Sequence, residues 1–257
     1  AVHSGEFGGP APDALTALCR ILASLHDENG DVAVPALTNH LWEGAGFPEE
    51  LYRRTAGLLD GVDLIGSGTI TSRLWSGPAI DVVGIDAPSV QDASNILVPS
   101  ARARISMRTA PEADADRELE HLMEHLRRSA PWGVQVEVEK FRASRGFVCP
   151  RGGPVHMAAK WAMETAYGRP VQEIGGGGSI PLLHTLRQAV PDAEFVLWGS
   201  EDLARSRIHG PNESLDLGDF ERTILAPCLL LLRLGRSDRG CREENHEPPA
   251  GANRRPP

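Results

Sequence analysis

Cysteine is sparse in this chain of 257 residues, and the four present, Cys19, Cys149, Cys228 and Cys241, include no C-x-x-C pair. That scatter disfavours a thiolate zinc site and a disulfide-stapled scaffold, and it fits a reducing compartment such as the cytoplasm. Basic charge is also short: Lys and Arg number 26 against 35 Asp and Glu, a formal net charge of -9. An acidic surplus offers no basic face for a phosphate backbone, so no nucleic acid is expected as a partner. No apolar run reaches the roughly 20 residues of a membrane span. The stretch LAPCLLLLRLG, Leu225 to Gly235, is too short for one and reads as a buried helix. The chain opens at Ala1 with neither methionine nor the charged and apolar regions of a signal peptide, and it reads as a piece of something longer.

Nucleotide and nucleophile motifs are missing as well. The run IGGGGSIP, Ile174 to Pro181, is followed by no Gly-Lys-Ser/Thr and fits no G-x-G-x-x-G register. Ser179 does not sit in a G-x-S-x-G elbow. What the glycines offer is close backbone approach, and amides at the start of the next helix suit an anion such as a carboxylate. A plain tight turn into a helix is the equal alternative.

An apolar share of 41% is ordinary for a soluble chain with a real core. Leu15, Leu18, Ile21, Leu22 and Leu25 lay one stripe along a helix that Asn29-Gly30 stops. A loosely patterned segment follows, with one helical patch at PEELYRRTAGLL. Pro78 to Ala87 and Ser100 to Ala110 read as strands, the second alternating Ala101, Ala103, Ile105 and Met107 with Arg102, Arg104, Ser106 and Arg108. ADADRELEHLMEHLRRSA is a helix, acidic early and basic late as its dipole prefers, and GVQVEVEKF alternates as another strand. If the opening residues add a first strand, residues 1–141 form an α+β domain of ferredoxin-like split βαβ type, with an antiparallel sheet. Beyond it, helix, glycine loop, helix, strand at Glu194 to Trp198, loop and helix predict an α/β half-domain over residues 142–236. The Pro-, Gly- and charge-rich stretch 237–257 is expected to be a disordered tail.

Several residues invite chemistry. His209 in RIHGPNESLD lies in a polar loop after a strand ending at Gly199, where an α/β fold displays ligand-binding groups, and Glu213 could orient its imidazole on a zinc ion. Arg108 ends a strand on its polar face, where a guanidinium suits a carboxylate. His3 in a His-Ser-Gly turn and Asn95 in DASNILVP each read equally well as structural. Glu49-Glu50 and Glu243-Glu244 are a solvated helix start and a tail pair, not a general base.

In order, VHSGEFGG, LWSGPAIDVVGID, ASNILVPSARARISMR, GGGGSIP and IHGPNE resemble the M20 metallopeptidases, most closely their carnosinase-like dipeptidase branch. The resemblance covers the chain to about Gly235. It implies a lid, or dimerisation, domain followed by the second half of a catalytic domain, and a homodimer that hydrolyses small peptides bearing a free carboxylate. Carried over by position, it implies His209 as a zinc ligand and Arg108 as the carboxylate clamp. Asn95, Gly178 and Ser179 become substrate contacts. His3 becomes a transition-state stabiliser reaching the partner subunit's site. Two zinc ions are implied, but the His-x-Asp motif, bridging aspartate and Glu-Glu pair that precede the lid in the family are absent here, leaving one ligand and no general base. The chain alone is therefore expected to be inactive. An N-acyl amino acid deacylase or desuccinylase of the same family, or a non-catalytic dimerisation module, are the alternatives.

Overall fold

In the computed structural model, residues 1–176, 180–200, 202, 205–208 and 210–243 are described, with 181 and 237–243 as backbone alone. The elements in chain order are β1 Val2–His3, α1 Ser4–Phe7, α2 Ala14–Ala23, α3 Glu49–Ala56, a π-helical turn Ser72–Ser76, β2 Ala79–Asp86, β3 Ile96–Leu97, β4 Arg102–Arg108, α4 Ala115–Arg128, a 3-10 turn Pro131–Gly133, α5 Pro154–Tyr167, α6 Pro181–Ala189 and α7 Leu217–Glu243. They divide into two compact units, Ala1–Val148 with Glu173–Pro191, and Cys149–Gln172 with Asp192–Pro257.

The first unit is built on the two amphipathic helices anticipated from periodicity. Ile21 and Leu25 of the α2 stretch and Leu122 and Leu126 of α4 bury together with Val34 and Ile80, and Ile105 and Met107 of β4 pack against them. Ile105 and Met107 are the apolar half of the alternating strand, so the helices cover one face of an antiparallel ladder. That ladder pairs β2 with β4 from Ala79↔Arg108 to Asp86↔Arg102, with an irregularity between Val82 and Gly84. A second two-stranded antiparallel ladder joins β1 to β3. The architecture is α+β with small antiparallel sheets.

Three expected elements differ. Gly133 to Phe141 holds no strand among the described residues, although its alternation is used: Val136 and Val138 pack on the α2–α4 core. Side-chain alternation places apolar groups on one face, but a ladder also needs an adjacent strand edge. Glu194 to Trp198 likewise forms no strand, so the second unit has helices and, among its described residues, no α/β sheet. Val196 and Trp198 instead pack against Ala158, Ala159 and Ala162 of α5 and Leu230 of α7. The stretch Leu225 to Gly235 is helical but only part-buried: Ala226 and Leu230 are inside while Leu231 and Leu232 are 69% and 60% exposed. In α7 the helix runs on through Ser237 to Glu243, each residue adding a backbone bond to an existing helix. Residues 244–257 lie outside the described residues.

The second unit is capped from a distance. The Glu194 carboxylate accepts the Val155 and His156 amides at 3.2 and 3.0 Å, closing the N-terminus of α5. Gly153 makes room for it, because a Cβ there would collide with the same carboxylate.

One charged residue in α4 is not on the solvent side. Glu118 is 2% exposed, and its carboxylate accepts the Thr38 amide at 3.0 Å and the Thr38 hydroxyl at 2.7 Å, tying the loop after Val34 to the helix. Removing it would leave the two part-buried Thr38 donors without this acceptor, so Glu118→Ala should cost about 1–2 kcal/mol of stability in urea unfolding. Glu120→Ala, on the exposed face of the same helix, should change it little.

Candidate active site

The first residues are organised by one imidazole. His3 caps α1: its Nδ1 accepts the Gly5 amide at 3.0 Å, filling a donor that the helix start would leave unpaired. A neutral ring whose Nδ1 accepts must carry its proton on Nε2. His3 is exposed, so Nε2 presents a hydrogen-bond donor to whatever approaches. Glycine at 5 is a steric requirement, since a Cβ would lie 2.8 Å from His3 Cε1 and 3.1 Å from Nδ1.

The β1–β3 ladder brings the second candidate to the first. His3 is the register partner of Ile96, and the Ser4 amide donates to the Asn95 carbonyl at 2.8 Å. Exposed Asn95 is thus joined through its backbone to the residue after His3, although residues 5–94 lie between them in sequence. Asp13 holds this ladder to the core. One carboxylate oxygen caps α2 through the Thr16 amide at 2.8 Å, and the other accepts the Val98 amide, just after β3, at 2.6 Å. Burial pushes the Asp13 carboxyl up, but the bonds from Thr16, Val98 and Leu15 outweigh it and hold the group below its ordinary value of 3.8.

Arg108 lies on the other ladder, at the last residue of β4 opposite Ala79, exposed and without an ion pair among the described residues. Gly178, Ser179 and His209 lie outside the described residues. Their sequence neighbours are described: Gly175 and Gly176 precede the first two, and Ile208 and Glu213 line a hollow of about 510 Å³ with Ser200 and Ser206. The described residues contain no group of three or more His, Cys, Asp and Glu side chains able to hold a metal ion. They do not assemble the donor set a zinc site needs. No described helix is long and apolar enough to cross a membrane.

Sequence reasoning named His3 and Asn95 as candidates but not the residues that hold them in place. The signal for Gly5 was its place two residues after a histidine, and the signal for Asp13 was an Asp one residue ahead of a helical stripe. That Asp13 would also take Val98 had no local signal.

Comparison with known proteins gives this arrangement its class. Residues 1–134 match the family model of the peptidase dimerisation domain of M20 peptidases. The chain belongs to the M20 peptidase family. It is 38% identical over 239 residues to a cysteinylglycine-S-conjugate dipeptidase of Corynebacterium striatum, covering 91% of this chain and 52% of that protein. It is 23% identical to a Cys-Gly metallodipeptidase of Schizosaccharomyces pombe, covering 88% and 50%. Among solved structures it matches a di-peptidase of Saccharomyces cerevisiae with TM-score 0.74 at 22% identity, over 90% of this chain and 50% of that one. It also matches human carnosine dipeptidase 1 with TM-score 0.72 at 21% identity, over 90% and 52%. These last two likenesses are of fold. The chain spans about half the length of the curated relatives it matches.

Two outcomes follow. Nitrogen-15 NMR of the neutral His3 ring should show the Nε2-protonated tautomer in the native chain, and Gly5→Ala should abolish that preference by displacing the ring; a native ring protonated on Nδ1 would contradict the geometry. Asp13→Ala should cost about 1 kcal/mol, the usual worth of an N-cap. Because the folded-state pKa of Asp13 is depressed, its contribution is complete above 3.8 and is lost as pH falls below that through the lowered native value. Unfolding curves of native and Asp13→Ala protein should therefore converge as pH falls below 3.8.

Proposed function

We propose that this chain supplies the lid and the second catalytic half of a zinc-dependent, homodimeric, cytoplasmic dipeptidase of about twice its length. The lid is residues 1–141, with the strands above as part of a ferredoxin-like sheet, and the catalytic half is residues 142–236. The observation that carries the reading is the His3 geometry: Nδ1 is engaged by the chain's own backbone, which leaves Nε2 of the exposed neutral ring as a donor, on the same short ladder that carries Asn95. A donor held in advance of the reaction can stabilise the oxygen of an amide carbonyl as charge builds on it, an effect worth about 2.7–4 kcal/mol per donor in related chemistry. Reaching a substrate in the partner subunit's site, His3 would make dimerisation part of catalysis.

Arg108 is the cation in position to clamp the substrate's terminal carboxylate, with Asn95, Gly178 and Ser179 contacting the rest of a short peptide. A paired zinc centre supplies the activated water in this chemistry. His209 is the one ligand this chain contributes to it, fewer than the four donors zinc takes, so the remaining ligands and the base come from outside these residues. Exposed Leu217, Leu231 and Leu232 on α7 fit an apolar face that the other catalytic half would cover. The similarity to a cysteinylglycine-S-conjugate dipeptidase puts Cys-Gly and its S-conjugates first among substrates.

The test is a panel of free dipeptides, C-terminally amidated dipeptides and N-acyl amino acids offered to the zinc-loaded full-length protein. Free dipeptides should be the preferred substrates. Arg108→Ala should lower kcat/KM on them by about 100-fold, as loss of a charge-assisted carboxylate contact does, and leave the amidated peptides little changed. Preference for N-acyl amino acids would move the reading to a deacylase or desuccinylase, and no turnover at all would leave a dimerisation module. Turnover by the purified 257-residue chain with zinc alone would refute the claim that ligands come from elsewhere.

A further inference from the structure

Val98, the residue after β3, gives both of its backbone polar groups to the start of α2. Its amide donates to Asp13 Oδ2 at 2.6 Å, and its carbonyl accepts the Ala14 amide at 3.0 Å. Asp13 Oδ1 is taken up on the helix side, where it accepts the Thr16 amide at 2.8 Å and the Thr16 hydroxyl at 3.0 Å. One carboxylate thus holds two partners with two oxygens. The helix side is ordinary N-capping, which asparagine and serine perform about as well as aspartate. The Val98 side needs a second acceptor on the same side chain, and neither of those residues has one. Asparagine would turn an amide nitrogen, a donor, toward the Val98 N–H, and serine carries a single oxygen on a shorter stem. Aspartate at this position is therefore more than the cap requires.

What the second oxygen holds is the element that carries His3. Strand β1, Val2–His3, pairs with β3 and with no other strand among the described residues, and the Ser4 amide is tied to the Asn95 carbonyl at 2.8 Å. A ladder of two residue pairs does not stand alone in water. Val98 is where it meets α2, whose Ile21 lies in the buried core. The Gly5 amide sets the His3 ring relative to its own backbone, and the Asp13–Val98 bond sets that backbone relative to the core.

We propose that Asp13 is a positioning residue for His3: its second carboxylate oxygen, acting through Val98 and the β1–β3 ladder, holds the imidazole where its Nε2 donor meets the substrate oxygen. The inference rests on the dipeptidase reading for its kinetic consequence and on the Asp13–Val98 bond for its cause. A donor aimed at a developing oxyanion acts in the transition state, so loosening it lowers kcat and leaves KM. A displacement of about 1 Å is enough to weaken a reaction strongly. Because Asp13 acts through the imidazole, it contributes nothing to catalysis once the imidazole is gone.

The experiment has two arms. In the 257-residue chain, Asp13→Asn and Asp13→Ser should unfold at nearly the native urea concentration, because both keep a cap, while the Val98 and Ser4 amides exchange with solvent at least about tenfold faster. Native exchange at both amides, or faster exchange at Val98 with Ser4 unmoved, overturns the inference whether or not the protein is a dipeptidase. In the zinc-loaded full-length protein, each variant should lower kcat for free dipeptides roughly tenfold with KM within about twofold, against a loss of about 100-fold in His3→Ala. The double variant His3→Ala with Asp13→Asn should be no slower than His3→Ala, since residues that act as a unit are not additive. Losses that multiply in the double variant, or a rise in KM alone, would mark a merely structural role and overturn it. If His3→Ala itself keeps the native kcat, the role read for His3 fails, and the exchange arm alone decides whether Asp13 fixes the ladder.

Discussion

A single carboxylate joins the core of the first unit to the ladder that carries His3 and Asn95. Asp13 begins α2, whose apolar stripe is half of the core, and the same side chain takes the Val98 amide at the end of β3. The β1–β3 ladder has two residue pairs, too few to stand alone in water. What keeps it in place is its attachment to a helix that hydrophobic burial already holds. His3 and Asn95 therefore inherit their position from Ile21 and Leu25 through one side chain with two acceptor oxygens. The Ala14 amide adds to the same junction by donating to the Val98 carbonyl at 3.0 Å.

The second theme is that glycine in this chain marks where a functional group needs its neighbour's space. Gly5 lies under the His3 ring, Gly175 under the Trp75 indole and Gly153 under the Glu194 carboxylate. In none of the three is a left-handed backbone the reason. Each permits a side chain to lie close against a main-chain segment: the first helical turn, the entry to the glycine run and the start of α5.

Legibility in the sequence followed the range of the interaction. Helix α2 was readable because its stripe recurs every three or four residues, and α4 because its charges run from acidic to basic along the helix dipole. The β4 alternation was readable, like the α2 stripe, from its period. Gly133 to Phe141 and Glu194 to Trp198 misled because their apolar residues do pack inward, and alternation reports packing without reporting a partner strand. The burial of Glu118 had no local signal: an acidic residue in a first turn is usually in water, and Thr38, distant in sequence, supplies the donors that make burial tolerable. His3, Asn95 and Arg108 became candidates through the order of motifs, since each read locally as well as a structural or solvated residue. The Trp75–Gly175 contact had no sequence signal, since neither a tryptophan in a loose segment nor a glycine among glycines announces the other.

The central claim is that His3 completes a site it does not share a chain with. It is tested most directly by mixing two inactive full-length variants, His3→Ala and His209→Ala, and following Cys-Gly hydrolysis after subunit exchange. If His3 acts in the partner subunit, the mixed dimer has one intact site, formed by His209 of one chain and His3 of the other, and activity returns. If the mixture stays as inactive as its parents while exchange is complete, His3 does not act across the dimer and the account of this chain's lid is wrong.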